Sequence, residues 1–405
     1  MQIDRDRCWK MSDRTERAAA DANLYDEAHA VKWLFAEKPM SIESQIVEYV
    51  RVLAEQMPAG TARSLVHIDT QTIAGDDCTV IDLPGEFDLV VGTDFVRGAG
   101  FRLFKLGKLS FKDIGYYLAA ANASDLAAMG ARPVGFLDVL RYSKDMEFQQ
   151  AKEILDGIHE ACVEFCMPLV GGDSGGYELP VLSGTAFGLC KKGTALLRRN
   201  GTPGDYVYLS GSTGVAGAAD AYFSNSCDGQ LSHKDEEALL AAWRRPRPQL
   251  VLGQFLSENG FSRCAMDTSD GLRASIEQLS RASGLAMEVN LTDVPVSDLV
   301  RKVAKIRGFR DDDIYDLVFS DSVDFRLLFT VSPAVSASYE KNARASGFEI
   351  HRVGRLTDKS EPCTPIVRSA TGKETPLPGI AWDQSETPTY ARLEAQIKRR
   401  KSEND

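Results

Sequence analysis

The stretch IAGDDCTVID at residues 73–82 combines the pattern of a buried β-strand with two adjacent carboxylates. β-Branched residues at both ends of the stretch predict a strand over about 73–83. Gly75 is followed directly by Asp76 and Asp77. Two neighbouring negative charges beside an apolar strand are costly unless a positive group offsets them. The stretch therefore predicts a cation next to this pair of carboxylates.

The composition is typical of a folded protein with more than one domain. The chain has 405 residues, of which 43% are apolar, and this length suggests two or three domains. Its formal charge of −11 disfavours a long interface with nucleic acid or with anionic lipid, because both need a basic surface. We therefore expect neither nucleic acid nor a membrane as a partner, although small anions can still bind locally.

The sequence carries no signal for a membrane or for export. No apolar run approaches the roughly 18 residues that span a bilayer. The first residues alternate in charge and lack the apolar core of a signal peptide. The eight cysteines are scattered rather than arranged as a disulfide framework. We therefore expect a cytoplasmic protein with reduced thiols.

Changes in composition and periodicity predict four segments and a mixed α/β fold. The segments are a charged N-terminal extension at 1–40, an α/β domain at 41–192, a second α/β domain at 193–384 and a charged tail at 385–405. The first domain is predicted to hold a helix over 41–58, strands over 73–83 and 87–95, helices that begin near Ser110 and Glu147, and a strand over 179–189. Strands and helices thus alternate in the order of a mixed α/β domain.

The second predicted domain opens with a strand, a glycine-rich bend and a helix. The bend reads GSTGVAG at 211–217, and its glycine spacing does not match a dinucleotide-binding fingerprint. A tight strand-to-helix turn explains it, although such a turn also presents backbone N–H groups that suit an anion. A further strand and helix are predicted over 263–284, and a strand over 324–331.

A recurring feature is an aspartate beside a glycine or another small residue, where a strand or helix ends. The set comprises Asp76 and Asp77 in AGDD, Asp94 in GTD, Asp125 in ASD, Asp173 in GGD, and Asp267 and Asp270 in DTSDG. Each one alone is typical of a turn or a helix cap. As a set, converging carboxylates are what Mg²⁺ requires, and Mg²⁺ is commonly shared with nucleotide phosphates. The set therefore predicts a magnesium and nucleotide site.

Eight motifs in order make the chain resemble the thiamine-monophosphate kinases. They read GDDCTVID, GTDFVRGAGF, ANASDLAAMGARP, LVGGDSG, LRRNGTPGDYVYLSGSTGVAGAADAY, RPRPQLVLGQFL, MDTSDGLRASIEQLSRASG and DFRLLFTV. That family belongs to the superfamily of aminoimidazole ribonucleotide (AIR) synthase, a hydrogenase maturation protein and selenophosphate synthetase. The resemblance extends from about Ser41 to about Trp382.

The resemblance implies a fold, a cofactor and roles for individual residues. It implies an N-terminal domain that forms a barrel across a homodimer, a C-terminal α/β domain, and ATP held with Mg²⁺ between subunits and domains. The implied metal ligands are Asp76, Asp77, Asp94, Asp125, Asp173 and Asp270. The implied ATP-binding residues are Gly75, Asp76, Asp125, Gly171, Gly172, Ser269 and Gly271. The implied catalytic residues are Asp77, Asp173 and Asp270.

The chain departs from the family pattern on the side of the phosphate acceptor. Gly100 stands where the kinases have a histidine, and Gly176 where they commonly have an arginine. Val323 and Arg326 replace two acids. The residues predicted to contact the acceptor are Gly100, Asp324 and Arg326. Arg326 would suit a more anionic acceptor than a thiazolium, unless it pairs with a neighbouring aspartate on the strand edge.

Three functions follow from these motifs. The first is an ATP- and Mg²⁺-dependent kinase that phosphorylates thiamine monophosphate or a related small phosphate. The second is an enzyme of the AIR synthase type, in which ATP activates a carboxamide or carboxylate oxygen before an amine attacks. The third is a nucleotide-binding protein without catalysis.

Overall fold

In a computed structural model of the chain, the structure describes residues 49–50, 67–69, 71–73, 75–96, 101–225, 227–310, 313–320, 322–358, 364–369 and 371–380. All the described residues except Tyr49 and Val50 belong to one unit within residues 54–405, and the fold below is that of this unit. Of the helix predicted over 41–58, Tyr49 and Val50 are described, and both are helical. The N-terminal extension and the charged tail lie outside the described residues.

The described strands of the N-terminal half form one six-stranded sheet in the order β1-β2-β3-β6-β4-β5. The strands are β1 (His67–Ile68), β2 (Thr79–Asp82), β3 (Phe87–Val96), β4 (Arg132–Tyr142), β5 (Leu169–Gly176) and β6 (Val181–Lys191). β4 and β5 run parallel, and the other neighbouring pairs are antiparallel. The fold is therefore of the predicted mixed α/β class.

The strand predicted over 73–83 is wrong in its first half. β2 begins at Thr79, and the residues before it form turns and bends. The backbone N–H groups of Gly75 and Asp76 both donate to the carbonyl oxygen of Thr72, so this segment closes on itself instead of pairing with a strand. β4 was missed altogether, because its proline and glycine interrupt the alternation that marks a strand, and its register shifts between Pro133 and Gly135.

Two long helices cover one face of this sheet. α1 (Arg102–Lys105) is short, and it is followed by α2 (Phe111–Ala128) and α3 (Phe148–Glu164). α2 begins as predicted, with a capping box in which Ser110 and Asp113 each accept the other's backbone N–H. Almost every residue of α2 is buried, so this helix forms the centre of the N-terminal half.

α2 and α3 pack backbone against backbone at two glycines. A Cβ atom on Gly115 would lie 1.9 Å from the carbonyl oxygen of Ile154, and one on Gly157 would lie 2.0 Å from that of Lys112. Neither distance can be accommodated by moving a side chain, because both contacts are to main-chain atoms.

The opposite face of the six-stranded sheet carries exposed apolar side chains. Side chains alternate along each strand, so the residues that do not face α2 and α3 all lie on this second face. Phe95 is 61% exposed and Phe87 is 45% exposed, and Leu137 and Val181 are exposed on the same face. We name this surface the open face; its strands are β3, β4, β5 and β6.

The C-terminal half is built on a second described sheet, of seven strands in the order β13-β12-β9-β11-β7-β10-β8. Its strands are β7 (Tyr206–Leu209), β8 (Ala265–Asp267), β9 (Ala286–Asn290), β10 (Leu327–Val331), β11 (His351–Thr357), β12 (Ile366–Arg368) and β13 (Glu374–Pro376). Its helices are α4 (Val215–Phe223), α5 (His233–Arg244), α6 (Leu250–Glu258), α7 (Leu272–Ser283), α8 (Asp298–Ile306), α9 (Ile314–Phe319) and α10 (Pro333–Ala345). One apolar core packs α4, α5, α7, α8 and α9 against this sheet, and a second one packs α6 and α10 against β7, β8 and β10.

A short 3-10 turn, Arg198–Asn200, lies between the last strand of the first sheet and the first strand of the second. The predicted domain boundary at 192–193 falls just before this turn and remains a prediction. Among the described helices, none has the length and apolar character needed to span a membrane.

Replacing Gly157 by valine should destabilise the fold by about 3 kcal/mol, because the added side chain overlaps the backbone of α2. Thermal unfolding followed by circular dichroism measures this change. The matched control is His159→Ala on the exposed side of the same helix. Equal stability of the two variants would contradict the close helix contact.

Candidate functional site

Three carboxylates from separate parts of the chain converge at one point. Asp77 lies in the turn before β2, Asp125 lies in α2, and Asp267 is the last residue of β8. Each offers an oxygen atom, and the three oxygens lie within 4.8 Å of one another. The group thus joins the two sheets, and we call it the carboxylate cluster.

Two more predicted residues lie next to the carboxylate cluster. Asp94 is on β3, where its carboxylate accepts the N–H of Phe95 at 2.7 Å. Burial raises the pKa of Asp94, and the nearby negative charges of Asp267 and Asp270 raise it further. Four of the aspartates that the sequence singled out as ligands, Asp77, Asp94, Asp125 and Asp270, therefore belong to one region.

Burial and mutual repulsion make the carboxylate cluster hard to ionise. Burial raises the pKa of Asp77 to about 7, against the opposing charge of Arg198. Burial also raises the pKa of Asp94 to about 6. The pKa of Asp125 lies well above its ordinary value, because the group is buried and Asp267, Asp94 and Asp77 surround it. The site as it stands carries more negative charge than its surroundings offset.

Asp267 is a member of this site that the residue assignment from the family missed. The sequence placed it with Asp270 in DTSDG, but only Asp270 was assigned as a ligand. The Oγ of Ser124 on α2 donates to Asp267 Oδ2 at 2.6 Å, and the Oγ of Ser269 donates to Oδ1 at 2.7 Å. These two bonds fix the carboxylate. The signal available in the sequence was its position at the end of an apolar run, directly before small polar residues.

The positive groups next to the carboxylate pair are arginines of the chain itself. The guanidinium of Arg198 donates to both oxygens of Asp77, at 2.5 Å and 3.4 Å. The backbone N–H of Arg198 donates to Asp76 Oδ1 at 2.6 Å, and a guanidinium nitrogen of Arg199 lies 3.7 Å from Asp76 Oδ2. The expectation that a bound cation alone offsets the pair is therefore incomplete, and Asp76 lies outside the carboxylate cluster.

Asp173, Gly171 and Gly172 lie at a different place in the chain. They are on β5, the edge strand of the first sheet, and β5 is three strands away from the β3 strand that carries Asp94. The carboxylate of Asp173 is exposed and pairs with Arg141 at 2.5 Å. Strand alternation puts Asp173 on the open face and Asp94 on the helix-covered face. Within one chain these residues do not meet.

The glycine-rich bend before α4 binds an anion, and that anion belongs to the chain. The carboxylate of Asp324, predicted to contact the acceptor, accepts the backbone N–H groups of Gly214 and Ala216 and the hydroxyl of Ser322. It therefore caps the first turn of α4. Gly214 takes a positive φ of 89° at this cap, which glycine adopts without strain.

The other predicted binding residues lie beside the carboxylate cluster or outside the described chain. Gly75 is in the turn that carries Asp77, and Gly271 directly precedes α7. Arg326 donates its backbone N–H to Thr268 Oγ1 at 3.0 Å and its Nε to the carbonyl oxygen of Ser212 at 3.2 Å. Gly100 lies outside the described residues.

The residues of the carboxylate cluster fit a divalent cation such as Mg²⁺. The donors are oxygen atoms only, they are anionic, and they converge within 4.8 Å. Burial first, and the neighbouring carboxylates second, raise the pKa values of Asp77, Asp94 and Asp125, and a bound cation would favour their ionised forms. Asp77, Asp125 and Asp267 would hold such an ion, with Asp94 and Asp270 beside it.

Comparison with known proteins shows the family to which the chain belongs. The family models named AIR synthase related protein match residues 75–190 with their N-terminal domain and residues 202–362 with their C-terminal domain. The thiamine-monophosphate kinase of Escherichia coli (strain K12) is 30% identical over 291 residues, which cover 72% of this chain and 85% of that protein. The corresponding protein of Methanopyrus kandleri is 36% identical over 55% of this chain and 67% of its own length.

Solved structures of thiamine-monophosphate kinases also resemble this chain. The crystal structure of thiamine-monophosphate kinase from Stenotrophomonas maltophilia K279a matches with a TM-score of 0.62 and 26% identity, over 80% of this chain and 96% of that one. The structure of AaThiL complexed with AMPPCP and TMP matches with a TM-score of 0.67 over 86% of this chain and 100% of that one, and its 20% identity shows a shared fold.

Removing one charge from the carboxylate cluster should stabilise the metal-free protein at high pH. Because the folded-state pKa values of Asp77 and Asp94 are raised to about 7 and about 6, these groups cost stability once the pH exceeds their unfolded-state pKa of about 3.9. In EDTA, the melting temperature should therefore fall from pH 5 to pH 8. Asp125→Asn should raise it at pH 8 by roughly 2–4 °C, which corresponds to about 1 kcal/mol in a domain of this size.

The control for this measurement is Glu178→Gln, an exposed acid in a loop. Its melting temperature should follow the unmodified protein at every pH. If Asp125→Asn instead melts lower at pH 8 than at pH 5 by the same margin as the unmodified protein, the charge repulsion in the cluster is not the cause of the pH dependence.

Proposed function

The chain belongs to the thiamine-monophosphate kinase family of the AIR synthase superfamily, and from this premise we propose that it transfers the γ-phosphoryl group of ATP to a small phosphate with the help of Mg²⁺. The observation that carries the proposal is the carboxylate cluster at the junction of the two sheets. Asp77, Asp125 and Asp267 would hold the metal, and Asp94 and Asp270 would add negative charge around it. A cytoplasmic location, where ATP is available, is part of the same proposal.

The residues of the chain act by positioning charge rather than by covalent catalysis. An oxygen of the acceptor phosphate forms a bond to the γ-phosphorus, the bond from that phosphorus to the β,γ-bridging oxygen breaks, and ADP leaves with the electron pair. Mg²⁺, when bound, offsets the charge on the phosphates. The second pKa of a phosphate monoester is about 6, so the attacking oxygen is mostly ionised at pH 7 and needs no general base.

Two fixed elements support this arrangement around Asp267. Ser124 and Ser269 hold its carboxylate by hydrogen bonds, so its direction is set before any ligand binds. Gly271 follows Asp270 and is the N-cap residue of α7, and the N-terminus of a helix attracts phosphate groups. Ser269 and Gly271 are therefore proposed to lie next to the nucleotide phosphates.

The acceptor is proposed to be a small anion and need not be thiamine monophosphate. Arg326 lies beside Thr268, next to the strand end that carries Asp267, and its Nε binds the carbonyl oxygen of Ser212. In this chain Arg326 and Val323 replace acids of the family pattern. A guanidinium in place of a carboxylate favours a phosphate or carboxylate group and disfavours a thiazolium cation.

The enzyme is proposed to act as a homodimer that joins two open faces. The open face carries exposed aromatic and aliphatic side chains, among them Phe95 and Leu137, which is unusual for a surface in contact with water only. Asp173 is on this face, away from the carboxylate cluster of its own chain. Asp173, Gly171 and Gly172 are therefore proposed to complete the site of the partner subunit.

Asp77→Asn and Asp270→Asn should each lower turnover roughly 100-fold or more, because several kcal/mol of charge stabilisation correspond to at least two decades in rate. The assay follows ADP, inorganic phosphate and thiamine diphosphate together, with Mg-ATP and thiamine monophosphate. The control is Asp82→Asn, which removes an exposed acid on β2 that pairs with Lys192 outside the site. Near-normal turnover in both site variants would refute the assignment of these carboxylates.

The same assay separates the three functions. Equal amounts of thiamine diphosphate and ADP identify a thiamine-monophosphate kinase, in which Gly100, Val323 and Arg326 are tolerated. Mg²⁺-dependent ATP binding without thiamine diphosphate moves the search to other small phosphates. Inorganic phosphate released in proportion to a condensed product identifies amide activation. ATP binding with no turnover for any acceptor identifies a nucleotide-binding protein.

Mixing two inactive variants tests the shared site. In a heterodimer of Asp77→Asn and Asp173→Asn, one of the two sites keeps both carboxylates if Asp173 serves the partner subunit. After subunit exchange, the mixture should recover roughly a quarter of the unmodified activity, since half the dimers are mixed and each has one complete site. If Asp173 acts within its own chain, every site carries a substitution and the mixture stays inactive.

A further inference from the structure

The two carboxylates of the Asp76–Asp77 pair have different surroundings. Asp77 contributes an oxygen to the carboxylate cluster, whereas Asp76 does not. Both oxygens of Asp76 face groups of the chain: Oδ1 accepts the backbone N–H of Arg198 at 2.6 Å, and Oδ2 faces the guanidinium of Arg199. The Asp76 side chain is only 3% exposed. It is thus enclosed by these two arginines.

Arg199 connects the two ends of the loop that carries this pair. One of its nitrogens lies 3.7 Å from Asp76 Oδ2, and another donates to Asp69 Oδ2 at 2.6 Å. Within the same loop, the backbone N–H of Asp69 donates to the carbonyl oxygen of Val80, and the backbone N–H of Val80 donates to Thr72 Oγ1. Arg199 therefore adds two charged contacts to a loop that is already closed by one backbone hydrogen bond and one hydrogen bond to a threonine hydroxyl.

The neighbouring residue, Arg198, links Asp76 to the carboxylate cluster, because it contacts both Asp76 and Asp77. Its guanidinium nitrogens Nε and Nη2 donate to the carboxylate of Asp77, and the third nitrogen, Nη1, donates to Gln278 Oε1 on α7 at 2.7 Å. The position of the Arg198 side chain depends on the 3-10 turn from which it projects. Asp76 holds that turn at the Arg198 N–H and at the Arg199 guanidinium.

We propose that Asp76 is a positioning residue and not a metal ligand, and that it acts with Arg199 and Asp69 to fix Arg198 against Asp77. The proposal rests on the proposed metal site at the carboxylate cluster and divides the roles within the pair: Asp77 binds the cation, and Asp76 sets where Asp77 is held. Residues behind the ligands of a metal site commonly control affinity in this way.

The test is metal binding by the full-length chain without nucleotide, with Mn²⁺ as the probe and electron paramagnetic resonance as the readout. Asp76→Asn and Arg199→Met should each weaken Mn²⁺ binding by a similar factor, roughly tenfold. The double variant should bind no more weakly than either single variant, because both changes break the same contact. Arg199→Lys, which keeps the charge, should recover part of the affinity.

If Asp76 were a ligand, the two single variants would not change the Mn²⁺ affinity in the same direction. Asp76→Asn would weaken Mn²⁺ binding, while Arg199→Met would leave it unchanged or tighten it, because a competing cation is removed from the carboxylate. That result overturns the proposal, and so does unchanged binding in both variants. The control Asp82→Asn removes the exposed acid that pairs with Lys192 on β2 and should bind Mn²⁺ normally.

Asp77→Asn separates this inference from the proposed function. If Asp77→Asn binds Mn²⁺ as the unmodified chain does, the metal site itself is wrong. If Asp77→Asn loses binding while Arg199→Met keeps it, the metal site stands and only the role given to Asp76 fails. Measuring kcat and KM for Mg-ATP on the same variants adds a second readout, in which a loosened Arg198 lowers both metal affinity and turnover.

Discussion

The buried contact between Arg198 and Asp77 is the interaction on which the site depends. Arg198 lies in the 3-10 turn between the two sheets. Its guanidinium donates to the carboxylate of Asp77 in the N-terminal half and to the side chain of Gln278 on α7 in the C-terminal half. Its side chain is 14% exposed and that of Asp77 is 4% exposed, so both charges lie in a region of low dielectric. Removing one partner of such a pair typically costs about 3–5 kcal/mol, because the other charge is left buried and unpaired. The same contact therefore fixes the two halves of the site relative to each other.

Around this contact the chain accumulates more negative charge than it neutralises. One guanidinium faces Asp77, while Asp125 and Asp267 are held close by with fixed backbones and, for Asp267, two serine hydroxyls. Groups of this kind reduce the stability of the ligand-free protein, and they are found where binding requires them. The unfavourable charge is thus the physical reason for expecting a cation: binding one converts a repulsive cluster into a coordinated one, and the binding free energy includes the relief of repulsion.

Much of the fold could be predicted from periodicity and capping. The capping box at Ser110 predicts the start of α2, and the strand predicted over 324–331 corresponds to β10, Leu327–Val331. β4 was missed because a proline and a glycine break its alternation. The strand before Asp82 was predicted too long, because a turn closed by Thr72 has the same apolar content as a strand end. The local sequence pattern predicts the presence of helices and strands well. It predicts their first and last residues poorly, because these depend on hydrogen bonds between residues far apart in the sequence.

The sequence predicts which residues are candidates for the site, but it does not predict which of them lie together in space. Asp77, Asp94, Asp125 and Asp270 were identified because each stands beside a small residue at the end of an element. Asp76 and Asp173 have the same local signature, yet Asp76 faces Arg198 and Arg199, and Asp173 faces Arg141. Arg198 and Arg199 carried no signal, because an arginine in a linker normally faces solvent. Ion-pair partners 121 residues apart, such as Arg198 and Asp77, are not visible to any local pattern.

The geometry of the first sheet limits how Asp173 can take part in the reaction. Side chains alternate between faces along a strand, so the face of a residue cannot change without shifting the register of the whole strand. Asp94 pairs with Gly184, and Gly184 pairs on its other side with Asp138, so all three lie on the helix-covered face, whereas Asp173 pairs with Val139 on the open face. No rotation of side chains brings Asp173 to Asp94, because the sheet itself lies between them. Either Asp173 only pairs with Arg141, or its partner in the reaction comes from another chain that covers the open face. The exposed Phe95 on the same face favours the second arrangement, because a dimer that buries this aromatic surface also brings a second copy of the chain to Asp173.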